Sequence, residues 1–498
     1  MSETFAPYQK LLARMREVAL VGSTGSMLSW DQETYMPPKA IDYRAEQLAF
    51  LSGWAHRQFT ASDVGGWLEA CEAHAFAPNS VEAVNVREWR RQYDRQARLP
   101  VALVEAMERA RVLGREAWVQ ARKASVFETF RPHLETILDL NRQMAEHWGY
   151  EDSPYDALLE EYEPGVRASA LKPLFAELRR EIMAILPGAV AWSESTPADL
   201  LQGEYPEAAQ QAFNREVAAA FGFDFEAGRI DTTTHPFCTG LGPRDCRITT
   251  RYDEKDFTQS LYGVMHETGH GLYEQGLLEE HYGTPLGSAV SLGMHESQSR
   301  FWENHIGRHP TFWERWHEAA CSHFPGLRRL TPDHIGRAVS RVTPSFIRVE
   351  ADEVTYDLHI ILRFEVEVKL VEGQLSARDV PAYWNENFRE MFGLEVPNDR
   401  MGCLQDIHWS MGSLGYFPTY TLGNLNSAQL FAAMHKAEPD LEAQLRRGSY
   451  EALLHWLRSR VHHQGCRLRP PELMVFATGQ TTQAEFHVRH LRRKFLGG

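Results

Sequence analysis

Five residues carry the clearest chemical signal in this chain: His266-Glu267-Thr268-Gly269-His270. They sit within DFTQSLYGVMHETGHGLYEQG, which predicts one helix from about Asp256 to a glycine stop at Gly276, with Leu261, Val264, Met265 and Leu272 on its buried side. Positions four apart stack on one face of a helix, so His266 and His270 can present two imidazoles to one point. Glu267, one step round, can reach a water held there. Two neutral imidazoles and a carboxylate base are the working parts of a hydrolytic zinc site. The opposing reading is a pair of solvated histidines on an ordinary helix. Gly269 and Gly271 weigh against it, because each costs a helix interior about 1 kcal/mol relative to alanine and implies close packing.

A hydrolytic zinc takes three protein ligands and keeps one position open. An extension of the motif with glycine at 273 and histidine at 276 is excluded, since those positions are Tyr273 and Gly276. The other common solution is a glutamate on the next helix. TPLGSAVSLGMHESQSRFWENHIGRHP predicts that helix, with Pro285 near its start, Leu286, Val290, Gly293 and Met294 as an apolar stripe, and Gly307 with Pro310 as its stop. Glu296 follows an uncharged run, where a carboxylate needs a partner, and is the candidate third ligand. Glu303 lies two turns further on the same face, and Glu279 and Glu280 fall in the intervening loop. The competing reading of Glu296 is a surface pair with Arg300.

The elements that must position these groups are mostly helices. With 498 residues, 43% of them hydrophobic, the chain can bury a large core, and its length permits two or three domains. From residue 1 to about 230 one amphipathic pattern follows another. In PVALVEAMERARVLGREAWVQARKA, Pro100 opens a helix whose Leu103, Met107, Ala110, Gly114, Ala117 and Ala121 fall on one face. Neither an internal repeat nor a linker interrupts this, so one large helical body is expected.

Two stretches break the rhythm. SWDQETYMPP, residues 29–38, reads as a loop or helix end. RIDTTTHPFCTGLGPRDCRITTRYDE reads as a hairpin or small sheet just before the histidine-bearing helix. Its edge could pair with an extended peptide, although a purely structural hairpin fits equally. Beyond residue 310 helices resume. Arg348 and Asp352 precede a strongly apolar segment, and Gln405, Asp406, His408, Trp409, Tyr416 and Tyr420 gather among glycines in what reads as a site-lining loop. The basic tail HVRHLRRKFLGG suits a helix C-terminus.

Composition excludes several classes. A net charge of −15 argues against nucleic-acid and anionic-membrane binding. Six scattered cysteines without a CxxC spacing argue against disulfides or a cysteine zinc site and fit a reducing cytosol. No run of 18 apolar residues predicts a membrane span. The N-terminal stretch MSETFAPYQKLLARMREVALVG is an amphipathic helix of mixed charge rather than a secretion signal, so a cytoplasmic protein is expected.

Six short motifs, in order, then make a resemblance specific. They are His235-Pro236-Phe237, Asp245-Cys246-Arg247-Ile248-Thr249, the HETGH stretch, His295-Glu296-Ser297-Gln298, Ile347-Arg348-Val349-Glu350-Ala351-Asp352, and Gly402 to Trp409 (GCLQDIHW). Together they resemble the M32 family of metallocarboxypeptidases, the thermostable Taq carboxypeptidase type, over the whole chain and without departure at a motif position. The resemblance implies a mainly α, zincin-like (gluzincin-type) fold. It would be one peptidase domain over residues 1–498, with a helical N-terminal half (1–230) covering a deep cleft and a metal-binding half (231–498). It implies a homodimer that removes single residues from peptide C-termini, His266, His270 and Glu296 as metal ligands, Glu267 as the catalytic carboxylate, and zinc as the metal, with cobalt often supporting activity.

Physical chemistry agrees with these assignments. Zinc lowers the pKa of its water towards ~7 and polarises a carbonyl, and Glu267 can take a proton from that water and return it to the leaving amine. A terminal carboxylate is matched by an arginine fork. Arg348 is the first candidate and Arg247 the second, the alternative for Arg348 being an ion pair with Glu350 or Asp352. His408 and Tyr420 can donate to the substrate carboxylate or oxyanion, or simply pack beneath a loop. His235 either lines the cleft or is structural. Asp352 or Asp406 could orient a ligand histidine. Three rivals remain: an oligopeptidase with the same ligands that cuts internal bonds, an inactive peptide-binding scaffold, and a structural zinc with His295 as fourth donor.

Overall fold

The computed structural model describes residues 5–497; the first four residues of the N-terminal stretch read above as helical, and Gly498, lie outside it. Helices dominate from end to end, with one small sheet in the middle of the chain. The helix Ala6–Thr34 takes in most of the SWDQETYMPP stretch, which ends it: Trp30 is buried, and the Tyr35 hydroxyl donates to Asp231 at 2.6 Å. It packs against the helix Ile41–Phe59. Val101–Ala124 buries Leu103, Met107, Ala110, Gly114 and Ala121, the face that its spacing predicts.

Three apolar clusters hold the body together. One is confined to the N-terminal region, around Tyr8, Leu11, Leu68 and Trp89. A second joins residues from Ala121–Ala189 to residues from Val342–Phe495 and is centred on the helix Tyr356–Val371, buried at all positions but Glu365 and Lys369. The third surrounds the histidine-bearing helix, where Phe257, Leu261, Val264, Met265 and Leu272 pack with Phe301, Trp302, Trp313 and Tyr450.

The sheet has three strands in the order β1-β3-β2, with β1 Gly228–Thr232, β2 Cys238–Gly242 and β3 Asp245–Thr250. β2 and β3 form the expected hairpin, turning through Pro243-Arg244, with a register shift between Gly240 and Gly242. β1 adds in parallel on the other side of β3, leaving β2 at the edge. Two adjoining cavities of about 1040 and 440 Å³ share Ala19, Gly283 and Ser288; the larger is lined mostly by the N-terminal helices and the smaller by the β2–β3 turn.

The two helices predicted to carry ligands are both present, one as drawn and one shorter. Phe257–Glu274 begins where Asp256 accepts from the Thr258 N–H at 2.9 Å. The second helix does not start at Pro285. That proline opens a single 3₁₀ turn, and the helix proper runs Leu292–Arg300 behind a Ser291 cap that accepts from the Met294 N–H at 3.0 Å. A hydroxyl that satisfies a first-turn amide sets a helix start more firmly than an upstream proline. The segment then widens into a π turn, Phe301–Gly307, where it ends, and Pro310 opens the next helix, Pro310–His323.

Candidate metal centre

His266 and His270 lie one turn apart on the Phe257–Glu274 helix, and Glu296 reaches them from the Leu292–Arg300 helix. Glu296 Oε2 is 3.6 Å from His266 Nε2 and 3.5 Å from His270 Nε2. Ligands about 2.1 Å from a tetrahedral zinc stand roughly 3.4 Å apart. Glu296 is thus spaced from both imidazoles as for one ion, and among the described residues the three donors, all within 4.8 Å of one another, form a His-His-Glu cluster able to hold a metal.

The outer ring nitrogens are both occupied, which turns the Nε2 atoms inward. His266 Nδ1 meets Glu303 Oε2 at 2.9 Å. His270 Nδ1 meets His295 Nδ1 at 2.6 Å, and His295 Nε2 meets Glu274 Oε1 at 2.8 Å. With His295 donating its Nε2–H to Glu274, its Nδ1 accepts from the Nδ1–H of His270, which fixes that ring's tautomer and leaves its Nε2 lone pair free. Both nitrogens of His295 are engaged, so it is not available as a fourth ligand.

Close backbone approach explains the glycines. A Cβ on Gly269 would stand 2.6 Å from Ser299 Cα, so the ligand helices touch where a side chain cannot fit. A Cβ on Gly423, in the helix Pro418–Ala437, would stand 2.7 Å from Glu296 Cβ. Gly271 gives its space to Phe223 and Ile248. The packing inferred from the cost of two helical glycines is therefore observed, and a third helix takes part in it.

Burial sets the protonation states. It pushes the Glu267 carboxyl up to about 7, against the pull of His266. It pushes His270 down to about 4, so that ring is a neutral donor. For His266 burial acts in the same direction, but the Glu296 and Glu303 carboxylates outweigh it and hold the group above its ordinary value. Glu296 is itself held well below the carboxylate range: burial opposes this, but Arg300 and the two histidines prevail. Arg300 Nε donates to Glu296 Oε1 at 2.8 Å. The i,i+4 pair weighed as an alternative role for Glu296 is formed by one oxygen while the other faces the histidines.

The remaining candidates fall into two groups. Arg348 is buried, its Nε donating to Asp406 Oδ1 at 2.9 Å and its Nη1 to the Tyr356 hydroxyl at 3.2 Å. Its ion-pair partner is Asp406 rather than Glu350 or Asp352. The Tyr420 ring lies beneath its guanidinium at 5.0 Å, and the Tyr420 hydroxyl is 3.3 Å from His408 Nε2. His408 Nδ1 is buried without a partner. Tyr356 also stacks on Arg300, 4.5 Å from its ring centre, so this group connects to Glu296 through two side chains. Arg247 and His235 lie apart from it. Arg247, on β3, pairs with Asp245 at 2.9 Å and covers Trp30, and His235 is exposed in the loop between β1 and β2.

The orienting carboxylate comes from neither of the two aspartates considered. Asp352 accepts from the Val354 and Thr355 amides at the start of a helix, and Asp406 binds Arg348 and Arg363. Glu303 and the His295–Glu274 pair take that place. The π turn supplies the reason for Glu303: a wide turn, with the Arg308 N–H donating to the Glu303 carbonyl at 3.0 Å, swings this side chain onto His266.

Comparison with known proteins gives one consistent result. The sequence profile described as carboxypeptidase Taq (M32) metallopeptidase matches residues 10–495. Thermostable carboxypeptidase 1 of Thermus thermophilus is 42% identical over 98% of both chains. Carboxypeptidase 1 of Bacillus subtilis is 34% identical over 97% of this chain and 96% of its own. The crystal structure of the M32 carboxypeptidase from Deinococcus radiodurans superimposes with a TM-score of 0.95 at 38% identity, covering 99% of each chain. A profile match across almost the whole length, with relatives and solved structures of the same extent, shows that the chain belongs to the carboxypeptidase Taq (M32) metallopeptidase family.

Proposed function

We propose that His266, His270 and Glu296 hold one zinc ion, which cobalt can replace, and that Glu267 transfers the proton in the release of single residues from peptide C-termini with broad specificity. Family membership makes the chain a metallocarboxypeptidase, a hydrolase of peptide bonds. The observation that carries the residue assignment is the spacing of Glu296 Oε2 at 3.5 and 3.6 Å from two imidazole Nε2 atoms whose other nitrogens are occupied.

A zinc ion, when bound, supplies a Lewis acid that polarises the scissile carbonyl. The chain's own groups do the rest. Glu267, with a carboxyl near 7, can take a proton from the attacking water and return it to the leaving amine at neutral pH. Arg348 and Arg363 share the single carboxylate of Asp406, which leaves this buried group one formal positive charge in excess. In a chain of net charge −15 that excess favours an anionic end of the substrate. Burial pushes His408 down to about 4, so its ring is neutral and its orphan Nδ1 can carry a hydrogen bond to substrate. Tyr420 holds the other ring nitrogen. Arg247 and His235 stand on the sheet side and fit contacts further along the peptide.

The wider assignment is a single peptidase domain over residues 1–498, with the helices of 1–230 covering a cleft in 231–498, working as a cytoplasmic homodimer without nucleic acid. No helix among the described residues is long and apolar enough to cross a membrane.

The decisive experiment is mass spectrometry of an N-terminally blocked peptide incubated with zinc- or cobalt-loaded protein. Stepwise loss of single C-terminal residues, abolished by chelator and by Glu267→Gln, is the expected result. An amidated C-terminus should resist, and Arg348→Ala should erase that distinction. Internal fragments would instead assign an oligopeptidase.

A further inference from the structure

Cys238 and Cys246 bring their sulfurs to 3.7 Å. Cys238 stands opposite Ile248, and Gly240 opposite Cys246, so the two cysteines are diagonal neighbours on one face of the β2–β3 pair. That face lies against the histidine-bearing helix: Cys246 Sγ is 3.9 Å from the Gly271 carbonyl. Cys246 is buried, whereas Cys238 is half-buried on the edge strand. Gly240 and Leu241 of that strand line the 440 Å³ cavity.

Magnitudes decide what such a pair can do. A disulfide needs about 2.05 Å between sulfurs, so the two thiols are in contact and not bonded. Diagonal residues in a sheet also stand about 7–8 Å apart, at or beyond the usual disulfide span. A zinc-sized cation bonded to both sulfurs at about 2.3 Å and the tetrahedral angle spans roughly 3.8 Å, and a larger soft cation a few tenths of an ångström more. The observed gap suits a bridging atom without movement of the backbone. Local charge points the same way. The Cys246 thiol and burial hold the Cys238 thiol well above its ordinary value, and the Glu267 and Glu274 carboxylates add to this, so a bare thiolate is disfavoured and a dication held by two offsets the charge. Sulfur ligands select soft cations over hard ones.

We propose that Cys238 and Cys246 form a second cation site, separate from the His266–His270–Glu296 cluster, that takes one soft thiophilic dication of the cadmium class through both sulfurs. Binding breaks two S–H bonds, forms two sulfur–metal bonds and releases two protons to solvent. The site depends on strand geometry and not on the roles proposed for His266, His270 and Glu296.

The test is titration of the zinc-loaded protein with cadmium chloride, followed by the ultraviolet thiolate-to-cadmium charge-transfer band, which imidazole and carboxylate ligands do not give. The band should saturate at one cadmium per chain, and Cys238, half-buried without the ion, should then be shielded from a thiol reagent. Cys238→Ala and Cys246→Ala should each remove it. A variant with alanine at Cys71, Cys321, Cys403 and Cys466 should keep it. Circular dichroism and retained zinc report whether each variant folds; if Cys246→Ala does not, the half-exposed Cys238→Ala decides alone. Absence of the band at excess cadmium, or its survival in Cys238→Ala, overturns the site.

Discussion

Replacing Glu303 by glutamine removes the charge behind His266 while keeping the side-chain volume. Glu303 Oε2 stands 2.9 Å from His266 Nδ1, and the carboxylate also faces Arg300 and Arg308, each at 3.4 Å. The two arginines keep other partners, Arg300 on Glu296 at 2.8 Å and Arg308 on the Val339 carbonyl, so the fold should tolerate the change. A hydrogen bond to a charged partner contributes about 1.5–3 kcal/mol, equivalent to roughly 10- to 150-fold in an equilibrium constant, and losses of this kind behind a metal-binding histidine run at about 10–100-fold. Glu303→Gln should therefore weaken zinc binding by about 10–100-fold, measured by competition with a chromophoric chelator. Turnover at saturating zinc should fall much less, since Glu267 and Glu296 are unchanged. A zinc Kd within about twofold of the parent protein would refute the idea that Glu303 orients and polarises His266.

Three other outcomes follow from the same geometry. Glu267→Gln should lower kcat by about 10²–10⁴ while zinc content, measured by atomic emission, stays at the parent level. Gly269→Ala should place a Cβ 2.6 Å from Ser299 Cα; overpacking costs about 1–3 kcal/mol, and because Ser299 shares a helix with Glu296, both Tm and zinc affinity should drop. Glu163 is buried, and that burial pushes its carboxyl up to about 8 from an ordinary 4.5. The unfolded chain then holds fewer protons than the native one between pH 4.5 and about 8, so this group contributes no penalty below that window and destabilises progressively through it, by up to ~1.4 kcal/mol per pH unit. Glu163→Gln should leave stability unchanged at pH 4.5 and raise it at pH 8 in urea unfolding; equal effects at both would contradict the assignment.

Much of the site was legible because its chemistry is local. The i,i+4 spacing of His266 and His270 needs only a helix to become a pair of donors, and the glycines at 269 and 271 announced close packing, against Ser299 on one side and Phe223 and Ile248 on the other. Glu296 was legible as a carboxylate near an apolar run. The helix that carries it is shorter than its sequence predicts, because Pro285 and the cap at Ser291 are both plausible starts in sequence and only the bonded amide of Met294 chooses between them. Glu303 was visible as a carboxylate two turns beyond Glu296, but the π turn that swings it behind His266 has no sequence signature. The partner of Arg348 was missed for a different reason: Asp406 lies 58 residues away, and nothing local distinguishes it from Glu350 or Asp352.

The sequence by itself determined the helical class, the donor types, the order of the motifs and the family they resemble, since these depend on residue identity and short periodicity. The tertiary structure alone decided which oxygen of Glu296 faces the histidines, how Glu303 and His295 fix the two rings, and that Arg348 and Arg363 share one acid. It also decided that two cysteines with no motif spacing meet across strands at 3.7 Å. The physical reason is common to all of these: they are contacts between elements far apart in the chain, and packing, not local propensity, sets their distances.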